Sequence, residues 1–441
     1  MSADSPSSQN TVEEHNEKNM RKVAGTALAG TSIEWYDFFI YGTAAALVFP
    51  TAFFPEDMPV MVALIASFST FAVGFIARPL GGVIFGHYGD RVGRKKTLVV
   101  ALLIMGGGTT LIGLLPTYET IGVLAPLALV FLRFVQGLAI GGQWGGAMLL
   151  VTESAPKDRR GFYGAFAQAG APAGVILANL AFLAIGATMS DESFLSWGWR
   201  VPFLASVILI GISMYVQLHL EETPAFKELE EAKLEQQAEG QASQQADTVD
   251  AAQVDPNRSP VLEALRLYPR RIALAAGAFI SIQVTIYILI AFVIAYGTNE
   301  EGLGLPRSTM LSAVLLASVI QVIVQYYAAS WSDRHGRRGV YLAGAGLLAL
   351  WSFALFPLID TGNFFFIIVG IAGGLSFLAM QYGPQAAFYT ELFTTQVRYS
   401  GASLGYQIGA ILGGAFAPSI AVLLWKEFGI IYVSVYITLA C

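Results

Sequence analysis

The chain has 441 residues, of which 55% are hydrophobic and only 13% charged, with a formal net charge of −6 and a mean hydropathy of +0.59. Soluble globular domains carry about 25% charged residues, so this composition excludes one and points to a membrane protein. A single cysteine, Cys441, excludes a disulfide within the chain and a Cys/His metal cluster.

Residues 1–22 are polar and mixed in charge, with no short apolar core followed by a cleavage site. That excludes a secretory signal peptide and predicts a disordered cytoplasmic tail. A membrane-spanning helix needs about 20 apolar residues. Such runs lie near 24–50, 60–86, 97–115, 121–150, 161–187, 199–219, 272–296, 309–331, 339–358, 363–389 and 400–424. A twelfth begins near Ile430 and reaches Cys441 after about half a span. The one long connection, 221–271, is rich in Glu, Gln and Ala and is expected to be a cytoplasmic linker, disordered in its middle. It divides the chain into an N-terminal six-helix bundle at 23–220 and a C-terminal bundle at 272–441, whose last helix is expected to be incomplete. The fold class that follows is an all-α membrane protein of twelve helices in two bundles related by pseudo-two-fold symmetry.

Alternate connections carry the Lys and Arg: Arg21 and Lys22, Arg91 to Lys96, Lys157 to Arg160, Arg270 and Arg271, Arg334 to Arg338, and Arg398. The intervening ones are nearly free of them, with Arg200, Arg307 and Lys426 as exceptions. Positive charge marks the cytoplasmic side, so the N-terminus is expected there. Two of these basic connections are near-copies. Gly86-x-x-x-Asp90-Arg91-x-Gly93-Arg94-Lys95 follows the second span, and Ser332-Asp333-Arg334-His335-Gly336-Arg337-Arg338 follows the eighth. An Asp and several Arg at a helix junction can bond across to other helix ends. Asp90, Arg94 and Glu153 form one expected latch, and Asp333, Arg337 and Glu391 the other, with Arg91, Arg334 and Arg398 beside them. Plain topological anchoring would explain the arginines but not the repeated Asp.

Four ionisable residues lie well inside the spans of the first half: Glu34, Asp37, Arg78 and Arg133. A charge at the bilayer centre costs roughly 3 kcal/mol on insertion scales, so such groups are kept when paired or when they line a wet cavity. Gly30, Glu34, Asp37 and Tyr41 share one helix face, as do Arg133, Gln136, Ile140 and Trp144. Counting depth along the helices predicts two carboxylate–arginine pairs, Asp37–Arg133 at mid-depth and Glu34–Arg78 nearer the cytoplasm. The second half carries neutral polar groups instead: Gln283 and Tyr287, Gln321 and Gln325, Gln381, Tyr382 and Gln385, Tyr406 and Gln407. Amides and phenols offer uncharged hydrogen bonds. The expected division gives protons and an anionic group to the first half, hydroxyls or shape to the second.

The repeated basic turn resembles the signature of the major facilitator superfamily. Glu34-Trp-Tyr-Asp37-Phe, Ala77-Arg78-Pro-Leu-Gly-Gly, Arg133-Phe-Val-Gln136-Gly, Gly142-Gln-Trp144-Gly-Gly, Ser196-Trp-Gly-Trp-Arg200-Val-Pro and Glu221-Glu-Thr-Pro-Ala-Phe226 are similar to its metabolite:proton symporter family. That family carries shikimate, 2-oxoglutarate, citrate and proline or betaine, and the first half is most similar to bacterial shikimate transporters. In related sugar–proton symporters a first-span Asp paired with a fourth-span Arg is the protonation switch; Asp37 and Arg133 match it by position. Two residues depart from the pattern: Ala329 replaces the first glycine of the second basic turn, and Gln143 stands where relatives often carry Glu.

The resemblance implies a proton-coupled symporter of a small organic acid, shikimate-like at first guess, in a bacterial inner membrane, working by alternating access and not an enzyme. Asp37 and Glu34 would handle protons. Arg133, Arg78, Gln136, Trp144, Tyr41, Gln283, Tyr287, Gln381, Tyr382 and Tyr406 would line the substrate site. The expected partners are the acid, protons and the lipid bilayer around a monomer, with no nucleic acid, metal or cofactor. Alternatives are a dicarboxylate, aromatic acid or betaine/proline symporter, a drug–proton antiporter, and a non-transporting sensor. Gly170-Ala-Pro172-Ala-Gly174 is only a distant approximation of the antiporter Gly-Pro motif, and the linker is too short and polar for a signalling domain.

Overall fold

A computed structural model describes residues 6–92, 94–141, 151–152, 155–219, 265–393 and 398–441; the side chains of residues 6–19, 22, 86–98, 157, 213, 216–219 and 398–400 are not among those described. The main helices are α1 (Pro6–Leu47), α2 (Val60–Val92), α3 (Arg94–Leu114), α4 (Leu124–Gly141), α5 (Arg160–Thr188) and α6 (Arg200–His219) in the first half. In the second they are α7 (Pro269–Tyr287, continuing through a π segment, Ile288–Phe292, to Thr298), α8 (Arg307–His335), α9 (Arg337–Asp360), α10 (Phe364–Leu392), α11 (Arg398–Gly414, resuming as Ala417–Phe428) and α12 (Ile431–Ala440). Among the described residues, eight helices are long and apolar enough to cross a membrane. A ninth is the bent pair Asp191–Gly198 and Arg200–Ile212, and Val99–Leu114 and Ile431–Ala440 are shorter apolar helices. With α1, whose apolar part carries Glu34 and Asp37, these account for the twelve expected helices.

Two expectations change. Residues 6–22, read as a disordered tail, continue α1 as helix from Pro6. Gln, Glu, Lys and Met are strong helix formers, and a helix nucleated in the apolar run extends through them at no nucleation cost. The eleventh span is interrupted after Gly414 and restarts with Pro418 at its first turn, where a missing N–H costs nothing. The linker at 221–264 lies outside the described residues.

Both halves use one packing scheme. In the first, α1 packs on α5, α2 on α4 and α3 on α6; in the second, α7 packs on α11, α8 on α10 and α9 on α12. Close approach in lipid requires small residues at the seam. Gly170 and Gly174 of α5 lie directly against Thr31 and Trp35 of α1, and Gly405, Gly409 and Gly413 of α11 against Ala275, Ala276 and Ile280 of α7. The tightest crossing joins α2 and α4. A Cβ at Gly81 would overlap the Leu138 carbonyl, one at Gly137 the Gly74 carbonyl, and one at Gly141 the Arg78 carbonyl. The halves meet along α5 against α8 and α10, and along α2 against α11.

α5 and α8 are tied at both ends. At the end carrying the second basic turn, the backbone N–H groups of Gly161 and Phe162 donate to the two carboxylate oxygens of Asp333 at 2.8 and 2.9 Å. A carboxylate at a helix N-terminus satisfies orphan donors and complements the dipole. Arg337 holds Asp333 at 2.5 Å and reaches Glu391 at 3.3 Å. The close approach that a turn glycine would allow is supplied from the partner helix: a Cβ at Gly161 would sit 2.8 Å from the Ala329 carbonyl. At the opposite end Arg307 pairs with Asp191 at 2.5 Å, its guanidinium 3.7 Å from the Phe194 ring centre.

Candidate functional site

The charged residues of the first half converge at the centre of the bundle, held by rings more than by each other. Arg133 on α4 is 1% exposed. Its guanidinium carbon lies 4.1 Å from the Tyr41 ring centre, 4.5 Å from Phe38 and 4.7 Å from Phe71. Nη1 donates to Gln136 Oε1 at 3.3 Å, while Nε and Nη2 have no hydrogen-bond partner. Gly74 makes room for it, since a Cβ there would come within 2.8 Å of Nε. Gln136 in turn donates to the Thr109 hydroxyl at 2.7 Å. Tyr41 is fixed by a 2.5 Å hydrogen bond to Thr70.

Asp37 on α1 is 2% exposed, and neither carboxylate oxygen has a hydrogen-bond partner. It lies beside Thr109 and Ser206 and within the field of Arg133. The predicted Asp37–Arg133 and Glu34–Arg78 salt bridges are not formed: among the described residues neither pair comes within contact distance. Depth along two helices says nothing of which way each side chain turns, and the aromatic faces of Phe38, Tyr41 and Phe71 capture the Arg133 cation first. Arg78 is held the same way, over Phe75 at 4.3 Å and Phe38 at 4.8 Å, with Nε unpartnered.

A small open cleft lies beside this cluster, lined by Glu34, Trp35, Phe38, Arg78, Ile140, Tyr406 and Gln407. Glu34 and Arg78 therefore share a wall, and Tyr406 and Gln407 of α11 face them from the other half. Arg133 and Asp37 lie outside that lining, and Phe38, which lines it, also packs against Arg133.

The neutral groups of the second half divide into two sets. Tyr287 packs edge-on against Phe71 and Phe75, with ring centres at 5.3 and 5.4 Å, and its hydroxyl has no partner in hydrogen-bond geometry. Gln283 Nε2 is likewise unpartnered, and Gln381 uses only its Oε1, which accepts from Ser281 at 2.6 Å. Gln325 and Gln385 are taken up in holding the halves together. Gln325 donates to the Ala165 carbonyl, and Gln385 Oε1 accepts from Gln168 of α5, which also donates to the Tyr382 carbonyl. Trp144 and Glu153, and the side chains of Asp90, Arg91, Arg94 and Arg398, lie outside the described residues; Arg334 is exposed at its turn.

Sequence reasoning missed Thr109, Ser206, Gln168 and Asp191. A Thr or Ser inside an apolar run reads as a helix residue bonding its own backbone, which Thr109 also does, to Met105 at 3.0 Å. Nothing local marks it as facing Asp37 and Gln136. The aromatic box around Arg133 was visible only as composition.

The sequence profile described as sugar (and other) transporter matches residues 22–440. The inner membrane metabolite transport protein YhjE of Escherichia coli strain K12 is 41% identical over 419 residues, covering 94% of this chain and 90% of that protein. The shikimate transporter of the same organism is 41% identical over 417 residues, covering 92% and 88%. Its proline/betaine transporter is 32% identical over 402 residues, covering 91% and 77%. Among solved structures, the partially occluded inward-open conformation of the xylose transporter XylE from E. coli matches with a TM-score of 0.72 over 96% of both chains at 19% identity, a likeness of fold.

Proposed function

Because the chain belongs to the sugar (and other) transporter family, within the major facilitator superfamily, we propose that it carries a small organic acid across the bacterial inner membrane together with protons. The observation that carries this reading is a pair of buried cations left open. Arg78 and Arg133 are 2% and 1% exposed, both keep N–H donors without partners, and no described carboxylate closes an ion pair on either. A buried unpaired charge is costly, so an entering carboxylate relieves it, and guanidinium matches carboxylate two-pronged. Asp37 carries the opposite debt: its two unpartnered oxygens are relieved by a proton. Acid anion and proton together leave the net charge of the site unchanged, and each makes room for the other.

The substrate enters by the cleft, meets Arg78 beside Glu34, and engages Arg133 once Phe38 moves aside. The unpartnered amides and phenol of Gln283, Gln381 and Tyr287 offer bonds to hydroxyls, which fits a hydroxylated carboxylate such as shikimate, the cargo named for one 41% identical relative. A betaine fits less well, since the aromatic faces that would receive its ammonium are already covered by the two guanidiniums. In this reading the basic turns face the cytoplasm, and Asp333, Arg337 and Glu391 latch that side.

The test is uptake by purified protein in proteoliposomes with an imposed pH gradient, over shikimate, dicarboxylates, aromatic acids and betaine. Acid-driven accumulation of a hydroxylated monocarboxylate is expected, and Asp37→Asn should abolish it while binding without a gradient persists. Accumulation by Asp37→Asn moves the proton site elsewhere, with Glu34 next; accumulation of betaine alone overturns the substrate class.

A further inference from the structure

Asp37 and Arg133 do not touch, yet a proton on one is supposed to release the other. Between them runs a short chain of neutral groups. Arg133 Nη1 donates to Gln136 Oε1 at 3.3 Å, Gln136 Nε2 donates to Thr109 Oγ1 at 2.7 Å, and the Thr109 hydroxyl donates its proton to the Met105 carbonyl at 3.0 Å. Thr109 is fully buried and stands beside Asp37. Ser206, also fully buried and beside Asp37, has a hydroxyl with no partner. Resting on the proton-coupled reading above, we infer that Thr109 is a positioning residue that passes the charge state of Asp37 to Arg133 through Gln136.

A single proton has two claimants. A threonine hydroxyl donates once. A neutral carbonyl, Met105, and a carboxylate, Asp37, compete for it. A hydrogen bond to a charged acceptor is roughly twice as strong as one between neutral groups, so ionised Asp37 draws the Thr109 proton and that of Ser206 as well. A hydroxyl that donates to a charge becomes a better acceptor, and hydrogen bonds in a chain strengthen one another. Gln136 is then held harder by Thr109, and Arg133 harder by Gln136. When Asp37 takes a proton the hydroxyl returns to Met105, the chain slackens, and the guanidinium is free to turn to an acid.

The surroundings leave few rivals for this role. Among the described residues, the ionisable groups acting on Asp37 are Glu34 and Tyr36 of its own helix and Arg133 of α4. α3 and α6 face it with the neutral hydroxyls of Thr109 and Ser206. α5 meets α1 through Gly170, Gly174 and Asn179, while α2 and α7 bring Arg78 and Tyr287 against Phe38.

Thr109→Val keeps the shape and removes the hydroxyl; Thr109→Ser keeps the hydroxyl. The measurement is the KM for uptake across a range of pH in proteoliposomes. Thr109→Val should lose most of the acid stimulation, about a fivefold flattening of the profile, and Thr109→Ser should restore it. A profile for Thr109→Val that matches the parent protein, or identical profiles for Val and Ser, overturns the inference. Should Thr109→Val fail to fold, Gln136→Leu carries the test: a flattened profile supports the relay and one that matches the parent protein overturns it. Asp37→Asn separates the two levels. If it still accumulates substrate, Asp37 is not the proton site, and the reading on which the relay rests falls. If it is inactive while Thr109→Val and Gln136→Leu keep normal profiles, only the relay falls.

Discussion

In the first half α2 and α4 cross through Gly74, Gly81, Gly137 and Gly141 and bring Arg78 and Arg133 to the centre. In the second half the equivalent pair, α8 and α10, crosses through Gly383 and brings Gln321, Gln325, Gln381 and Gln385. One packing scheme therefore presents two cations on one side and a set of amides on the other. Fold does not dictate chemistry; here the repeat supplies positions and each half fills them differently. The difference has an energetic logic. Gln168 of α5 and Gln385 of α10 bond across the seam between halves, and a neutral hydrogen bond is worth about 1 kcal/mol net. Such a seam can be broken and remade in every cycle. A buried ion pair broken at the same place would cost about 3–5 kcal/mol.

The comparison is broken most directly at Arg133. On the proposed function, Arg133→Ala should reduce uptake about 100-fold or more, since it removes the partner of the acid and the one cation among the described residues that acts on Asp37; initial rates in proteoliposomes give the number. Arg133→Lys should recover only part, because a point charge cannot make the two-pronged contact. Equal activity in Ala and Lys would mean that the first half does not carry the charge recognition.

Next in size is the crossing that holds the arginines. Gly141→Ala places a methyl onto the Arg78 carbonyl, and overpacking of this kind costs about 1–3 kcal/mol. Thermal unfolding should show a clear loss, while Gly277→Ala, with open space around it, should show none. The second half should respond more mildly. Gln381→Ala removes one neutral bond and should raise KM about fivefold, consistent with about 1 kcal/mol; a loss as large as that of Arg133→Ala would erase the distinction between the halves.

Smallest is the tie between Arg307 and Asp191. Asp191 is 89% exposed in its pair with Arg307, and exposed pairs contribute about 0–1 kcal/mol. Arg307→Ala should change turnover by about twofold or less, whereas Asp333→Asn, whose carboxylate also caps α5, should slow it several-fold.

Much of this was legible in the residues. Twelve apolar runs, the repeated Asp-Arg turn and four deep charges are read directly, and the second basic turn does join Asp333, Arg337 and Glu391. What failed was azimuth. Counting depth placed Asp37 level with Arg133 but could not see Phe38, Tyr41 and Phe71 closing around the guanidinium. Phenylalanines in a membrane helix face lipid as often as they face the bundle, and the sequence does not say which. The same blindness hid Thr109 and Ser206, which are small and polar in runs where a backbone-bonded hydroxyl is ordinary.

The glycine crossing of α2 and α4 has one more consequence. Carbonyls of one helix rest on the bare Cα atoms of the other at Gly81, Gly137 and Gly141, and contacts that leave no gap leave no slack. The two helices are welded, and the weld sits between Gly74 and Gly81 on one side and at Gly137 and Gly141 on the other, bracketing Arg78 and closely following Arg133. The backbone positions that carry these two arginines are thereby held at one spacing, like the jaws of a gauge locked at one setting. On the proposed function a cargo is measured against that setting, which makes the seam of small residues a place where a change of size preference can begin.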